Sequence, residues 1–315
     1  MADTRATLWW QGRWLMPIRT IGGGERGTYL DSAAEAPAKV KNIPKTAKVF
    51  YLHIEKTAGN SVGEYLLSLF PEEEICPAAY AGIWDYEPTK VEQYRLFHGH
   101  FYHDFIDAFP GPKIKLTMLR EPCSRIVSLY DFWRSFTWEH IRTNLPPING
   151  PALAKSCSFA EFLRIPDVLP RWGVSNVSCR QILGREYQQL EGEPDTALAQ
   201  CIRRLETFDW VGITEDYQRS MFLLAHVLGA PEPPVETRLN RTYHADADGT
   251  EAVAKTVPSA EDLALLQTLN TLDTALHDHA RQMLERRYAA VVTDRVTPTP
   301  PPRRSKWNWR RFWAG

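Results

Sequence analysis

The sequence predicts an α/β protein built on a mostly parallel central sheet flanked by helices on both faces. Short apolar runs at 48–54, 94–98, 114–119 and 208–213 have the length of strands. Segments of helical spacing separate them, which is the order that parallel βαβ units require. Two of the runs stop abruptly at a small polar loop that opens a helix. With 315 residues and 43% apolar content, the chain can bury a full core in one large domain.

The first strand leads into His53-Ile54-Glu55-Lys56-Thr57-Ala58-Gly59-Asn60-Ser61. Beyond Ser61, Val62, Tyr65, Leu66 and Leu69 recur at helical spacing and predict a helix over 61–70. Its unpaired backbone N–H groups and positive dipole end would face the loop. A phosphate set there would meet backbone donors, the hydroxyls of Thr57 and Ser61, and the Lys56 ammonium, with Gly59 leaving the approach open. The order differs from the Walker-type loop, whose lysine follows the glycines; here Lys56 comes first. A well-capped helix start is the plainer alternative.

The second strand contains Leu96-Phe97-His98-Gly99-His100-Phe101. In an extended segment His98 and His100 project to one face, an arrangement suited either to proton transfer or, with His103 nearby, to a metal such as zinc. The third strand ends at Leu119-Arg120-Glu121-Pro122, and Pro122 suits the first turn of a helix over 122–137. Arg120 then stands at the strand's carboxyl end, and Ser124 and Ser128 lie four apart on one helical face. An arginine and a serine so placed can grip a second phosphate. The alternative is a surface ion pair at Arg120 with Ser128 simply packed.

Further along, helices are expected through 158–206, with Val174-Ser175-Asn176-Val177 turning into one of them. Residues Phe208 to Glu215 read as a buried strand that passes through a Thr214 cap into a helix at 215–228, ended by Gly229. A long helix is expected over 259–288.

Together these segments resemble the nucleotide-binding elements of the sulfotransferases that use 3′-phosphoadenosine 5′-phosphosulfate (PAPS). Within them they resemble the carbohydrate group that includes heparan sulfate 2-O-sulfotransferase. Lys56-Thr57-Ala58-Gly59-Asn60-Ser61 matches that family's 5′-phosphosulfate loop, with Glu55 where the family has proline. Arg120-Glu121-Pro122-Cys123-Ser124-Arg125-Ile126-Val127-Ser128-Leu129-Tyr130 matches its 3′-phosphate segment, and His98-Gly99-His100 its H-G-H segment. The resemblance implies a sulfotransferase fold of the P-loop-NTPase-like kind, PAPS as sulfuryl donor, and no required metal. It implies a histidine base, His100 first and His98 second, with Lys56 stabilising the leaving phosphate. The donor would be held by Lys56, Thr57, Ala58, Gly59, Asn60, Ser61, Arg120 and Ser128. Arg241 and Thr242, in Leu239-Asn240-Arg241-Thr242, match the place where the family closes a loop over the nucleotide. Asn176 and Arg180 match residues near the cofactor or acceptor, and Thr214-Glu215 falls in a scaffold segment. The acceptor implied is a hydroxyl of a glycan or glycolipid.

The formal net charge is −1, from 37 basic and 38 acidic residues, so no general attraction to nucleic acid follows. Five cysteines, an odd number with no C-x-x-C pair, argue against a disulfide framework and a zinc knuckle and for a reducing compartment. No apolar run reaches the ~18 residues of a membrane span, and no signal-peptide pattern opens the chain. The expectation is a soluble, cytoplasmic, bacterial-type member, whereas the family's animal members are Golgi membrane proteins. Residues 1–45 read as a partly disordered extension, 46–292 as the sulfotransferase domain and 293–315 as a proline-rich, then basic-aromatic tail. That tail could touch anionic lipid or a polyanion, at the membrane periphery. Two other functions compete: an ATP-using phosphotransferase, against which the loop order counts, and a non-catalytic nucleotide- or polyanion-binding protein.

Overall fold

A computed structural model describes residues 42–77, 91–145, 149–165, 173–233 and 249–296. The elements are β1 (Lys48–Leu52), α1 (Gly59–Leu69), β2 (Leu96–Gly99), α2 (His103–Asp107), β3 (Lys113–Leu119), α3 (Pro122–Arg134), α4 (Trp138–Asn144) and α5 (Gly150–Ser156). They continue with α6 (Phe159–Leu163), α7 (Val177–Leu183), α8 (Glu186–Gln189), α9 (Pro194–Glu206), β4 (Trp210–Ile213), α10 (Tyr217–Leu228), α11 (Ala260–Leu269) and α12 (Thr271–Val296). Arg241 and Thr242, most of the first 45 residues and the tail from Thr297 lie outside the described residues.

The four strands form one sheet in the order β2-β1-β3-β4, every pair parallel. The α/β class expected from the alternation of runs is the one observed. The chain leaves β1 to one side for β2 and reaches its other side with β3. The strand order therefore reverses between β1 and β3, the place where open α/β sheets bind ligands at the strands' carboxyl ends. Both polar loops singled out in the sequence follow these two strands.

The strands are buried on both faces, as parallel sheets require; Val49 through Leu52 have no exposed surface. Phe50 stacks on Phe97 at 4.8 Å, and Phe101, Phe105 and Phe109 close around them. Each such ring contributes about 1.5–3 kcal/mol by leaving water. A second cluster joins α3 to α5, α6 and α11 through Tyr130, Trp133, Phe162 and Leu266. It anchors the long third helix independently of the sheet.

Several boundaries differ from the sequence expectation, and three of the differences have a clear local reason. The helix expected to reach residue 137 ends at Arg134, because the Thr137 side chain caps a new helix by accepting from His140 N. The helix expected over 259–288 is two helices that part at buried Asn270 and run on to Val296. There the Asn270 amide donates to Leu266 O, a carbonyl that a continuous helix would satisfy itself, and accepts from Asn176 N at the start of another helix. Thr214 does not cap α10. Its buried hydroxyl donates to Leu119 O across the sheet at 3.0 Å, satisfying a carbonyl at the strand end. Gly229 does end α10, at φ 62°.

Candidate functional site

The loop after β1 is held in shape by its own residues. Thr57 is fully buried and its hydroxyl donates to Ile54 O at 2.7 Å. Lys56 and Ala58 adopt left-handed backbone conformations, φ 65° and 61°, which non-glycine residues rarely do and which mark functional turns. No side chain caps α1, and no acid lies in its first turn. The helix therefore presents its N-terminal donors to the loop without a competing carboxylate.

Two expectations for this loop need correction. The Thr57 hydroxyl has one proton and uses it on Ile54 O, so what Thr57 offers an anion is its backbone N–H. The space that the missing Gly59 side chain leaves does not go to a phosphate. A Cβ there would lie 1.6 Å from His53 Nε2, so the space is filled by an imidazole.

His53 was not singled out in the sequence, and it organises the site. It is buried, its N–H donates to Gly99 O, and its ring stacks on His100 at 4.4 Å and lies 5.4 Å from His98. Its carbonyl accepts from His100 Nδ1 at 2.7 Å and, more loosely, from Gln181 Nε2 at 3.4 Å. A carbonyl can only accept, so His100 carries its proton on Nδ1, which leaves the lone pair of the neutral ring on Nε2. His98 is different. It is buried against α1, where a Cβ on Gly63 would come within 2.3 Å of its Cε1. Burial and then His100 push its pKa down to about 4. Burial and the charges of His100, His98 and Lys56 hold His53 far below the usual histidine range as well. Glycines four apart on α1, at 59 and 63, are the sequence signal of this close approach.

Arg120 joins the two loops. Its Nη1 donates to Lys56 O at 3.1 Å. The Lys56 ammonium lies 4.1 Å above the Phe132 ring on α3, a cation–π contact. Ser128 is buried one turn before Phe132 and shares its face of the helix, while Ser124, expected beside it, is exposed. Burial lowers the Lys56 pKa to about 8; Glu55 and Asp131 oppose the fall and Arg120 adds to it. Glu55 thus acts on the loop.

The N-terminus of α3 is filled. The Glu121 carboxylate accepts from Cys123 N at 2.9 Å and Ser124 N at 2.7 Å. Of the two strand–loop–helix units, only the first has a helix start with no side-chain cap; the second offers side chains.

Asn176 immediately precedes α7 and Arg180 lies on it, and Gln181 ties that helix to His53 and to Phe101 O. The Asn176 amide oxygen accepts from Asp273 N at 3.2 Å, and the Asp273 carboxylate accepts from Ser178 N and Cys179 N at 2.9 Å. Asn176 therefore works as a cap between α7 and α12. Arg180 is half-buried, with its guanidinium 5.2 Å from the Tyr187 ring centroid. Burial pushes the pKa of the Tyr102 hydroxyl up, Arg180 draws it down and Glu55 pushes it up. Among the described residues no group of three His, Cys, Asp or Glu is arranged to hold a metal. None of the five cysteines forms a disulfide, and four of them are buried. No described helix is long and apolar enough to cross a membrane.

The arrangement defines a class: a parallel α/β protein with an open helix end, a lysine and an arginine converging at the strand-order reversal, and histidines beside them. A model of the sulfotransferase family matches residues 42–288, well over half of the chain, and the chain belongs to that family. No curated protein matches the sequence. Among solved structures, the mouse sulfotransferase SULT7A1 complexed with PAP is similar at 13% identity, over 77% of this chain and 89% of that one, with a TM-score of 0.40.

Proposed function

We propose that this sulfotransferase moves the sulfuryl group of PAPS to a hydroxyl of a carbohydrate acceptor, a glycan or glycolipid. The observation that carries the reading is the contact between Arg120 and Lys56 O, which brings two motifs 64 residues apart into one site with two cations. Lys56, the N–H groups of residues 57–61 and the open end of α1 fit a 5′-phosphosulfate; Arg120 and Ser128 fit a 3′-phosphate. Arg241 and Thr242 belong to the same reading through the resemblance alone.

The acceptor oxygen attacks sulfur as the bond from sulfur to the 5′-phosphate oxygen breaks, and the acceptor's proton passes to His100 Nε2. His100 suits this role better than His98, because its Nδ1–H is anchored on a carbonyl while His98 is buried and weakly basic. Lys56 and the α1 end stabilise the charge that gathers on the departing phosphate. No step calls for a metal. Arg180 belongs to the acceptor side of this reading through the resemblance alone. A likeness to the heparan sulfate 2-O-sulfotransferase group, a bacterial-type cytoplasmic setting, and contact of residues 303–313 with a polyanion or anionic membrane rest on the sequence resemblance and composition.

Calorimetric titration with 3′-phosphoadenosine 5′-phosphate, beside ATP and with Arg120→Ala as control, tests the reading. Micromolar binding that needs the 3′-phosphate and is lost in the variant is expected. Equal binding of ATP, or no binding, would overturn it.

A further inference from the structure

Arg120 is held from behind by a segment that the proposed chemistry does not use. The peptide unit before it ends in the Leu119 carbonyl, which accepts from Thr214 Oγ1 at 3.0 Å. The peptide unit after it carries the Glu121 N–H, which donates to Glu215 Oε1 at 3.0 Å. Both peptide planes that flank the Arg120 Cα are therefore pinned by side chains of two consecutive residues beyond β4. Since those planes set the direction of the Cα–Cβ bond, they set where the guanidinium starts from. Glu215 is itself steadied: its Oε2 lies 3.2 Å from His277 Nε2 on α12. Glu121, Asp216, Arg219, Arg281 and Glu285 line the cleft around this pair.

We propose that Thr214 and Glu215, backed by His277, are positioning residues that aim Arg120 at the 3′-phosphate of the nucleotide. The inference rests on the reading of Arg120 given above. The guanidinium is assigned to the 3′-phosphate and touches the 5′ loop only through Lys56 O, so the signature of misaiming it is a loss of discrimination between nucleotides. The probes are 3′-phosphoadenosine 5′-phosphate and adenosine 5′-monophosphate, which lacks the 3′-phosphate. Both are titrated calorimetrically into the full chain and into Thr214→Val, Glu215→Ala, Glu215→Gln, Arg120→Ala and the Arg120→Ala/Glu215→Ala double variant.

Glu215→Ala and Thr214→Val are expected to lose about 10-fold in affinity for the 3′-phosphorylated nucleotide and distinctly less for the monophosphate. Glu215→Gln, whose amide oxygen can still accept from the Glu121 N–H, should stay near the wild type. In the Arg120→Ala background the Glu215 change should add nothing further. A purely structural role for Glu215 would weaken both nucleotides alike, or would persist without Arg120, and either result overturns the proposal. Equal binding of the two nucleotides by the wild-type chain would instead sink the reading of Arg120, and this inference with it.

Discussion

His100 Nδ1 sits 2.7 Å from the carbonyl oxygen of His53, and that single contact decides the tautomer of the candidate base. Imidazole catalysis needs a lone pair on the nitrogen that meets the substrate, and a carbonyl on the opposite nitrogen fixes it there. His53 in turn is kept neutral by burial first and then by His100, His98 and Lys56, so the platform under the ring stays uncharged.

Replacing His100 by Gln should leave the site's shape nearly intact and remove the proton acceptor. Sulfuryl transfer is expected to fall about 10²- to 10⁴-fold, with nucleotide affinity unchanged. A matched loss in nucleotide binding would show that His100 supports the donor site instead. Single-turnover assays beside calorimetry separate the two.

Lys56 gives binding its own pH dependence. Its pKa in the free protein is lowered to about 8 from 10.5, chiefly by burial. Above pH 8 the side chain loses its charge, and an anionic nucleotide bound there would pull its pKa back up. Affinity for 3′-phosphoadenosine 5′-phosphate should therefore weaken as pH rises through 8, and binding at pH 8.5 should take up a proton. Calorimetry in two buffers of different ionisation enthalpy reads that uptake directly. A null difference, or a Lys56→Met variant with the same uptake, would exclude Lys56 as its source.

The fold class, the two loops and the H-G-H segment were all legible in the sequence, because strand length, helical spacing and Pro122 are local signals. Less legible was everything that depends on which segments meet. His53 looks like one more residue of an apolar run until β2 and α1 close over it. Thr214 reads as a cap because threonine before a helix usually is one; the sheet instead brings an unsatisfied Leu119 carbonyl to its hydroxyl. Asn176 matches a family position near the ligands, yet its amide oxygen is engaged by α12, nearly a hundred residues later in the chain. Long-range hydrogen bonds of this kind leave no periodic trace.

Acid should unfold the protein through its buried imidazoles. The His98 pKa is about 4 in the folded chain and 6.5 in the unfolded one. Between those values the unfolded chain binds a proton that the folded chain refuses, so stability falls as pH drops from 6.5 towards 4. Above 6.5 the term is constant. The full loss amounts to about 3 kcal/mol for His98. Urea titrations at pH 7 and pH 4.5 should show it, and His98→Asn should flatten the slope in that window. An unchanged slope in the variant would move the effect to other groups.

Gly63 should tolerate no side chain. A Cβ at that position would lie 2.3 Å from His98 Cε1, and the ring, boxed in beside Tyr51, has little room to give. Gly63→Ala is expected to cost about 1–3 kcal/mol through overpacking, outweighing the helix propensity that alanine adds. Pairing it with His98→Ala should restore much of that loss, measured by thermal unfolding. If the double variant is no better than the sum of the single changes, the clash is not the cause.

The caps that join α7 to α12 should behave as a coupled pair. Asp273 is buried and accepts from Ser178 N and Cys179 N, while Asn176 accepts from Asp273 N, so each residue helps fix the backbone that presents the other. Asp273→Ala strands two buried N–H donors and should cost about 1–3 kcal/mol. Asn176→Ala should cost about 1 kcal/mol, the usual worth of a helix cap. Because the first change already loosens the segment that the second relies on, the double variant should lose less than the sum. Unfolding free energies of the four proteins in the cycle measure the difference. The same variants bear on the ligand role that the family match assigns to Asn176. As a cap, Asn176→Ala lowers stability and leaves the Michaelis constant for an acceptor unchanged; a raised constant at unchanged stability would return Asn176 to the acceptor site.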